Sequence, residues 1–248
     1  MGKTTICAIL AQLFAQDGFD VLAIDADPNT NLAMAFGINP EEKIEPLINM
    51  KELIAERTGT EKDAIGSYFR LNPNVSDLPE KYWFKINNIK LLVLGAITHA
   101  GAGCACPEGA FLKAMLRHTI LQRKELVIVD LAAGVEFMGR ASVQGIDLLI
   151  LIVEPGERSI ETANRMGQMA KELGIKHAAA IANKITSTGQ VDLIRDKLKN
   201  TTLLTGLSYS PLLQEADMQL KPVYNADMQI LEKLNNAKEH IQELLRNI

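Results

Sequence analysis

Short apolar runs recur along the chain, and most of them lead into polar residues. They are Val21–Ile24, Ile89–Leu94, Leu126–Val129, Leu148–Val153 and Ala178–Ile181. Runs this short, interrupted only by Lys90, predict strands buried on both faces. Between them the apolar positions move to a helical repeat, over Thr4–Gln16, Ile44–Arg57, Glu108–Arg123, Ser159–Leu173, Val191–Lys199 and Met228–Arg246. Alternating strands and helices predict an α/β fold, a mostly parallel sheet with helices on both faces and right-handed crossovers. Ligands in such folds bind beyond the carboxyl ends of the strands, so the residues just after each run carry the most weight. Thr60–Lys85, with Pro73, Pro79 and the sole Trp83, breaks the pattern and reads as a surface excursion. No repeat, low-complexity stretch or linker divides the chain, so residues 1–248 read as a single domain.

Composition narrows the function classes. Apolar residues make up 47% and charged residues 23%, ordinary for a globular domain. A net charge of −4 offers no basic face to nucleic acid. No apolar stretch has the length to span a bilayer. Three cysteines, two of them one residue apart, do not make a disulfide framework, and a reducing cytoplasm is the natural setting.

The first residues carry chemistry. Gly2-Lys3-Thr4-Thr5 matches the closing half of a P-loop, G-x-x-x-x-G-K-[ST]. In that loop backbone N–H groups wrap the phosphates, the Lys reaches the β/γ-phosphates, and the hydroxyl binds Mg²⁺. The tetrapeptide alone is a weak match. It gains weight from Ile6, Cys7, Ile9, Leu10, Leu13 and Phe14, which follow at helical spacing. The loop's opening half and its anchoring strand are not in the sequence, so the domain reads as N-terminally truncated, with a misplaced start codon as the favoured reason.

The strand ends supply matching elements. Val21–Ile24 leads into Asp25-Ala26-Asp27-Pro28-Asn29-Thr30-Asn31. Two acids beside a phosphate loop suit positioning of Mg²⁺ and the attacking water, although the same residues also suit a turn with a helix cap at Thr30 or Asn31. Leu126–Val129 ends in Asp130, the Walker B pattern, whose carboxylate holds the Mg²⁺ shell. Gly134 follows shortly, placed for a γ-phosphate contact that hydrolysis would break. After Ile181 come Asn183 and Lys184, where an amide can read the adenine edge.

Cys104-Ala105-Cys106 precedes a predicted helix with Pro107 in its first turn. Thiolates are soft metal ligands, and a helix N-terminus is expected to lower their pKa. One chain offers two such ligands. A two-fold dimer would bring four to its axis. The bland alternatives are two buried small residues or a redox pair. Cys7 reads as core.

Together these segments resemble the CooC-type nickel-insertion ATPases of carbon monoxide dehydrogenase maturation, within the MinD/ParA/nitrogenase-iron-protein class. The resemblance runs almost end to end and includes Pro46–Glu52, Leu71–Val75, the Cys104/Cys106 pair and Ala133–Glu136. It implies ATP and Mg²⁺ at Gly2, Lys3, Thr4 and Thr5. It implies Asp27 as the residue orienting water, Asp130 and Gly134 in the second switch, and Asn183 with Lys184 at adenine. It further implies a homodimer with Ni²⁺ (or Zn²⁺) between Cys104 and Cys106 of both copies. The client would be carbon monoxide dehydrogenase or acetyl-CoA synthase.

Rival functions within the class leave different marks. An electron-donating iron protein would need a cluster cysteine near Ala132 and Ala133. A membrane-positioning ATPase would need a basic amphipathic tail with aromatics, but Asn235–Ile248 mixes Lys238, Glu239, Glu243 and Arg246. A DNA-partitioning ATPase would want a basic surface. A MinD/ParA-like switch with another partner stands as an alternative, as does a metal-binding module without ATPase activity should the short N-terminus be genuine.

Overall fold

The computed structural model describes residues 2–42, 44–60, 68–95, 106–122, 125–132 and 145–246. The chain enters helix α1 (Lys3–Gln16) directly from Gly2, then forms β1 (Val21–Ala26) and a short α2 (Leu32–Ala35). Next come α3 (Lys51–Thr58), α4 (Leu78–Tyr82), β2 (Phe84–Ile86), β3 (Ile89–Val93), α5 (Pro107–Gln122) and β4 (Leu126–Leu131). The remainder alternates: β5 (Leu148–Val153), α6 (Glu157–Glu172), β6 (His177–Ile185), α7 (Thr188–Lys197), β7 (Thr202–Ser208), α8 (Pro211–Met218) and α9 (Met228–Arg246).

The strands form two ladders, β2-β3-β1-β4 and β5-β6-β7. All pairings are parallel except β2 with β3, an antiparallel edge. This is the α/β layering that the apolar runs predict. Among the described residues, the β4 edge away from β1 and the β5 edge away from β6 carry no ladder partner.

Period-two alternation divides the core. Val21 and Ala23 of β1 pack with α1 and with Ile230, Leu234 and Ile241 of α9. Leu22 and Ile24 point the other way, onto Leu47, Ile54, Leu78, Phe111 and Met115. On β5 and β6, Leu149, Leu151, Ala180 and Ala182 pack with Ile160, Ala163 and Ala170 of α6 and Ile194 of α7. The apolar positions expected after the P-loop, Ile6, Cys7, Ile9, Leu10, Leu13 and Phe14, are all buried.

Several expectations are corrected. The helix predicted over Ile44–Arg57 is a 3₁₀ turn, Leu47–Asn49, followed by α3. Pro46 lies in extended backbone and Met50 leaves helical dihedrals, so one continuous helix cannot form. The Thr60–Lys85 segment is not a mere excursion. Val75 and Leu78 are buried in the core, and α4 and the start of β2 lie within it. Strand β7 escaped notice because its residues are mostly half-buried and Gly206 interrupts them. Among the described residues, no helix is long and apolar enough to cross a membrane.

Candidate nucleotide site

Gly2 caps α1 with φ 82°, left-handed backbone that a side chain resists. Its carbonyl accepts the N–H of Ile6 at 3.1 Å, starting the helix. The first N–H groups of this long helix lack intrahelical acceptors, and the helix dipole adds positive character there. Such a terminus suits phosphate. Lys3, Thr4 and Thr5 are half-buried around it.

Strand pairing brings the acids to this terminus. Parallel register aligns Asp25 of β1 with Asp130 of β4 at the carboxyl ends of both strands. Asp130 is 3% exposed. Burial lifts its carboxyl above the usual range, while a hydrogen bond from the Thr4 hydroxyl and the Lys3 ammonium pull it down. Its Oδ2 is buried without a hydrogen-bond partner among the described residues. An orphaned buried carboxylate oxygen beside a threonine hydroxyl suits the hard oxygen shell of Mg²⁺.

Asp25 and Asp27 divide their work. Asp25 is fully buried. Its Oδ1 accepts the N–H of Asp27 at 3.2 Å and its Oδ2 the N–H of Leu32 at 2.9 Å. It thereby holds both ends of the loop that carries Asp27. Burial is the main reason its pKa rises to about 6. Asp27 accepts the N–H of Asn29 at 2.9 Å and lies nearer solvent, the side from which a water would approach. Asn31 precedes α2 as the sequence suggests, but its side chain makes no cap bond. Asp25 supplies the acceptor instead, a role that sequence reasoning missed. The only available signal was its position one residue past an apolar run.

On the opposite side, Asn183 meets the phosphate loop. A Cβ on Gly2 would lie 2.5 Å from Asn183 Nδ2. Lys184 follows at φ 58° and its ammonium pairs with Glu154 Oε1 at 2.8 Å. Cys7 sits beneath the acids, where burial foremost, then Asp130 and Asp25, push its thiol well up. It stays protonated, as a core residue.

The structure therefore gathers Gly2, Lys3, Thr4, Asp27, Asp130 and Asn183, all read from sequence. A family model described as the CobQ/CobB/MinD/ParA nucleotide-binding domain matches residues 1–223. The chain is 42% identical over 220 residues to the carbon monoxide dehydrogenase accessory protein CooC of Rhodospirillum rubrum, covering 88% of this chain and 83% of that one. The chain belongs to the CooC-type branch of the MinD/ParA family. An uncharacterized ATP-binding protein of Methanocaldococcus jannaschii is 39% identical, covering 98% of this chain and 95% of that one. Among solved structures, the septum-site-determining protein MinD of Pyrococcus horikoshii, complexed with Mg-ADP, superposes with a TM-score of 0.70 at 18% identity. That match covers 98% of this chain and 92% of the other. MinD of Aquifex aeolicus gives 0.67 at 19% identity, covering 98% and 92%. The CooC-type chain is thus a P-loop ATPase.

Two predicted residues of the CooC-type site, Cys104 and Gly134, lie outside the described residues. Cys106 is described, half-buried just before α5, and its Sγ accepts the N–H of Gly109 at 3.2 Å. Its thiol departs from expectation. Partial burial, with Glu108 alongside, outweighs the helix N–H and raises the pKa. Among the described residues, no group of three or more His, Cys, Asp or Glu side chains is arranged to hold a metal ion.

Proposed function

We propose that this protein is an ATP-driven metallochaperone that forms a homodimer, carries Ni²⁺ (or Zn²⁺) between the Cys104 and Cys106 pairs of its two copies, and delivers it to carbon monoxide dehydrogenase or the related acetyl-CoA synthase. The single observation that carries this reading is a CxC pair within a chain so similar to a carbon monoxide dehydrogenase accessory protein. Two thiolates per chain fall short of a tetrahedral set, and a two-fold axis doubles them.

The nucleotide chemistry follows from the site. The α1 N–H groups and the Lys3 ammonium would bind the phosphates, with Gly2 and Thr5 shaping the turn around them. Thr4 Oγ1 and Asp130 would hold Mg²⁺. Bound there, Mg²⁺ neutralises charge developing on the phosphate oxygens. Asp27 would orient the attacking water, held in place by Asp25. Asn183 would read the adenine edge by donating and accepting. Gly134 would sense the γ-phosphate and relax on its loss, which is how hydrolysis would be felt at the dimer axis.

The test is Ni²⁺ binding with and without ATP, beside Cys104→Ser and Cys106→Ser. One metal per two chains is expected, lost in either variant and changed by nucleotide. Stoichiometric binding that survives both substitutions overturns the site.

A further inference from the structure

We propose that Glu154 is a positioning residue for base recognition, acting by holding Lys184 in left-handed backbone and so fixing Asn183 against the phosphate loop. This deepens the nucleotide-site reading and rests on it.

The ladder between β6 and β7 carries the argument. Ala182 pairs with Gly206, and the next pair is Ile185 with Ser208. Three steps on β6 match two on β7, so one extra residue is inserted at Asn183–Lys184. Bulges are rare in parallel pairs, and they re-aim side chains beside active sites. Lys184 absorbs the insertion at φ 58°. Glycine usually takes that conformation, because a Cβ there crowds the backbone. A lysine at such a position needs something outside its own backbone to hold it.

Glu154 supplies the hold. It follows directly on Val153, which pairs with Ala182 across the β5–β6 ladder. It therefore stands beside the bulge, one residue past the strand that remains regular. Its N–H donates to Ser159 Oγ at 3.0 Å, anchoring it to the start of α6. Its Oε1 meets the Lys184 ammonium at 2.8 Å. The Lys184 charge holds the Glu154 carboxyl below its ordinary range. The consequence reaches the nucleotide through Asn183, whose Nδ2 lies 2.5 Å from where a Gly2 Cβ would be. A bulge that relaxed would swing that amide off the base.

The pair is partly solvated, with side chains 47% and 36% exposed, so the effect is modest. Glu154→Gln is expected to weaken ATP binding about fivefold and to narrow the preference for ATP over GTP by a similar factor. Simple electrostatics predicts the opposite, since removing an acid near phosphate strengthens nucleotide binding. In a Lys184→Gly background, Glu154→Gln is expected to change nothing further, because glycine takes φ 58° without a tether. Affinities for ATP and GTP are read by calorimetry with thermal melting alongside. Lys184→Gln breaks the same pair from the other end and replaces Glu154→Gln if that variant melts early. Unchanged ATP affinity and ATP/GTP ratio in the pair-breaking variant overturns the proposal, as does an equal loss in the Lys184→Gly background. Lys3→Ala binding ATP as tightly as the parent overturns the nucleotide site itself.

Discussion

Asp25 Oδ2 accepts the N–H of Leu32 at 2.9 Å, while its Oδ1 accepts the N–H of Asp27 at 3.2 Å. One buried carboxylate thus clamps the loop that presents Asp27. Asp25→Asn retains one acceptor oxygen and loses the other. A tie of this kind contributes about 1 kcal/mol, so turnover is expected to fall about fivefold or more. ATP affinity should change much less. Phosphate release and ATP binding, measured together, check this. A loss confined to affinity would remove the positioning role.

The same residue gives stability a pH dependence. Its pKa is raised by folding from 3.8 to about 6, mainly through burial. The native state therefore holds a proton that the unfolded chain releases between roughly pH 4 and 6. Its contribution is largest below pH 4 and declines as pH rises through 6. The advantage of the parent over Asp25→Asn should shrink by about 3 kcal/mol between pH 4 and pH 7. Denaturant unfolding at both pH values measures it, and a constant difference contradicts it.

Asp130 separates catalysis from stability. Burial raises its carboxyl and leaves Oδ2 without a hydrogen-bond partner among the described residues. Asp130→Asn removes the buried charge at constant shape, so the variant should melt no lower than the parent. It also removes the carboxylate proposed to hold Mg²⁺, and hydrolysis should fall about a hundredfold or more. Melting curves beside phosphate release test both halves.

Gly2→Ala tests the contact between the phosphate loop and Asn183. The positive φ costs about 1 kcal/mol for a non-glycine residue. The new Cβ also displaces the Asn183 amide, a flexible end that can move aside. ATP affinity should drop about tenfold. In an Asn183→Ala background the drop should be smaller, since there is no amide to displace. Additive losses in the double variant would show that the two residues do not meet.

Away from the site, Lys238 of α9 is 5% exposed and pairs with Asp17 at the end of α1. Removing one partner from such a pair costs more than removing both, because a buried charge is left behind. Asp17→Ala should destabilise by about 2 kcal/mol. The further change Lys238→Met should recover most of that in chemical denaturation.

Sequence determined the layers and most of the residues that the fold gathers at the α1 terminus. Unbroken apolar hexads such as Leu148–Val153 can be satisfied only by burial on both faces, which dictates strands between helices. Lys3, Thr4, Asp27, Asp130 and Asn183 were legible because each follows an apolar run or opens a helix, where this fold gathers ligands. Tertiary structure alone decided the rest. The Asp25 clamp depends on where the loop returns an N–H seven positions on, at Leu32, and no periodicity encodes that. The Asn183–Lys184 bulge arises from a register mismatch between β6 and β7, a property of two strands and not of either one. The raised Cys106 thiol likewise reflects burial beside Glu108, which outweighs the helix terminus that local sequence makes visible.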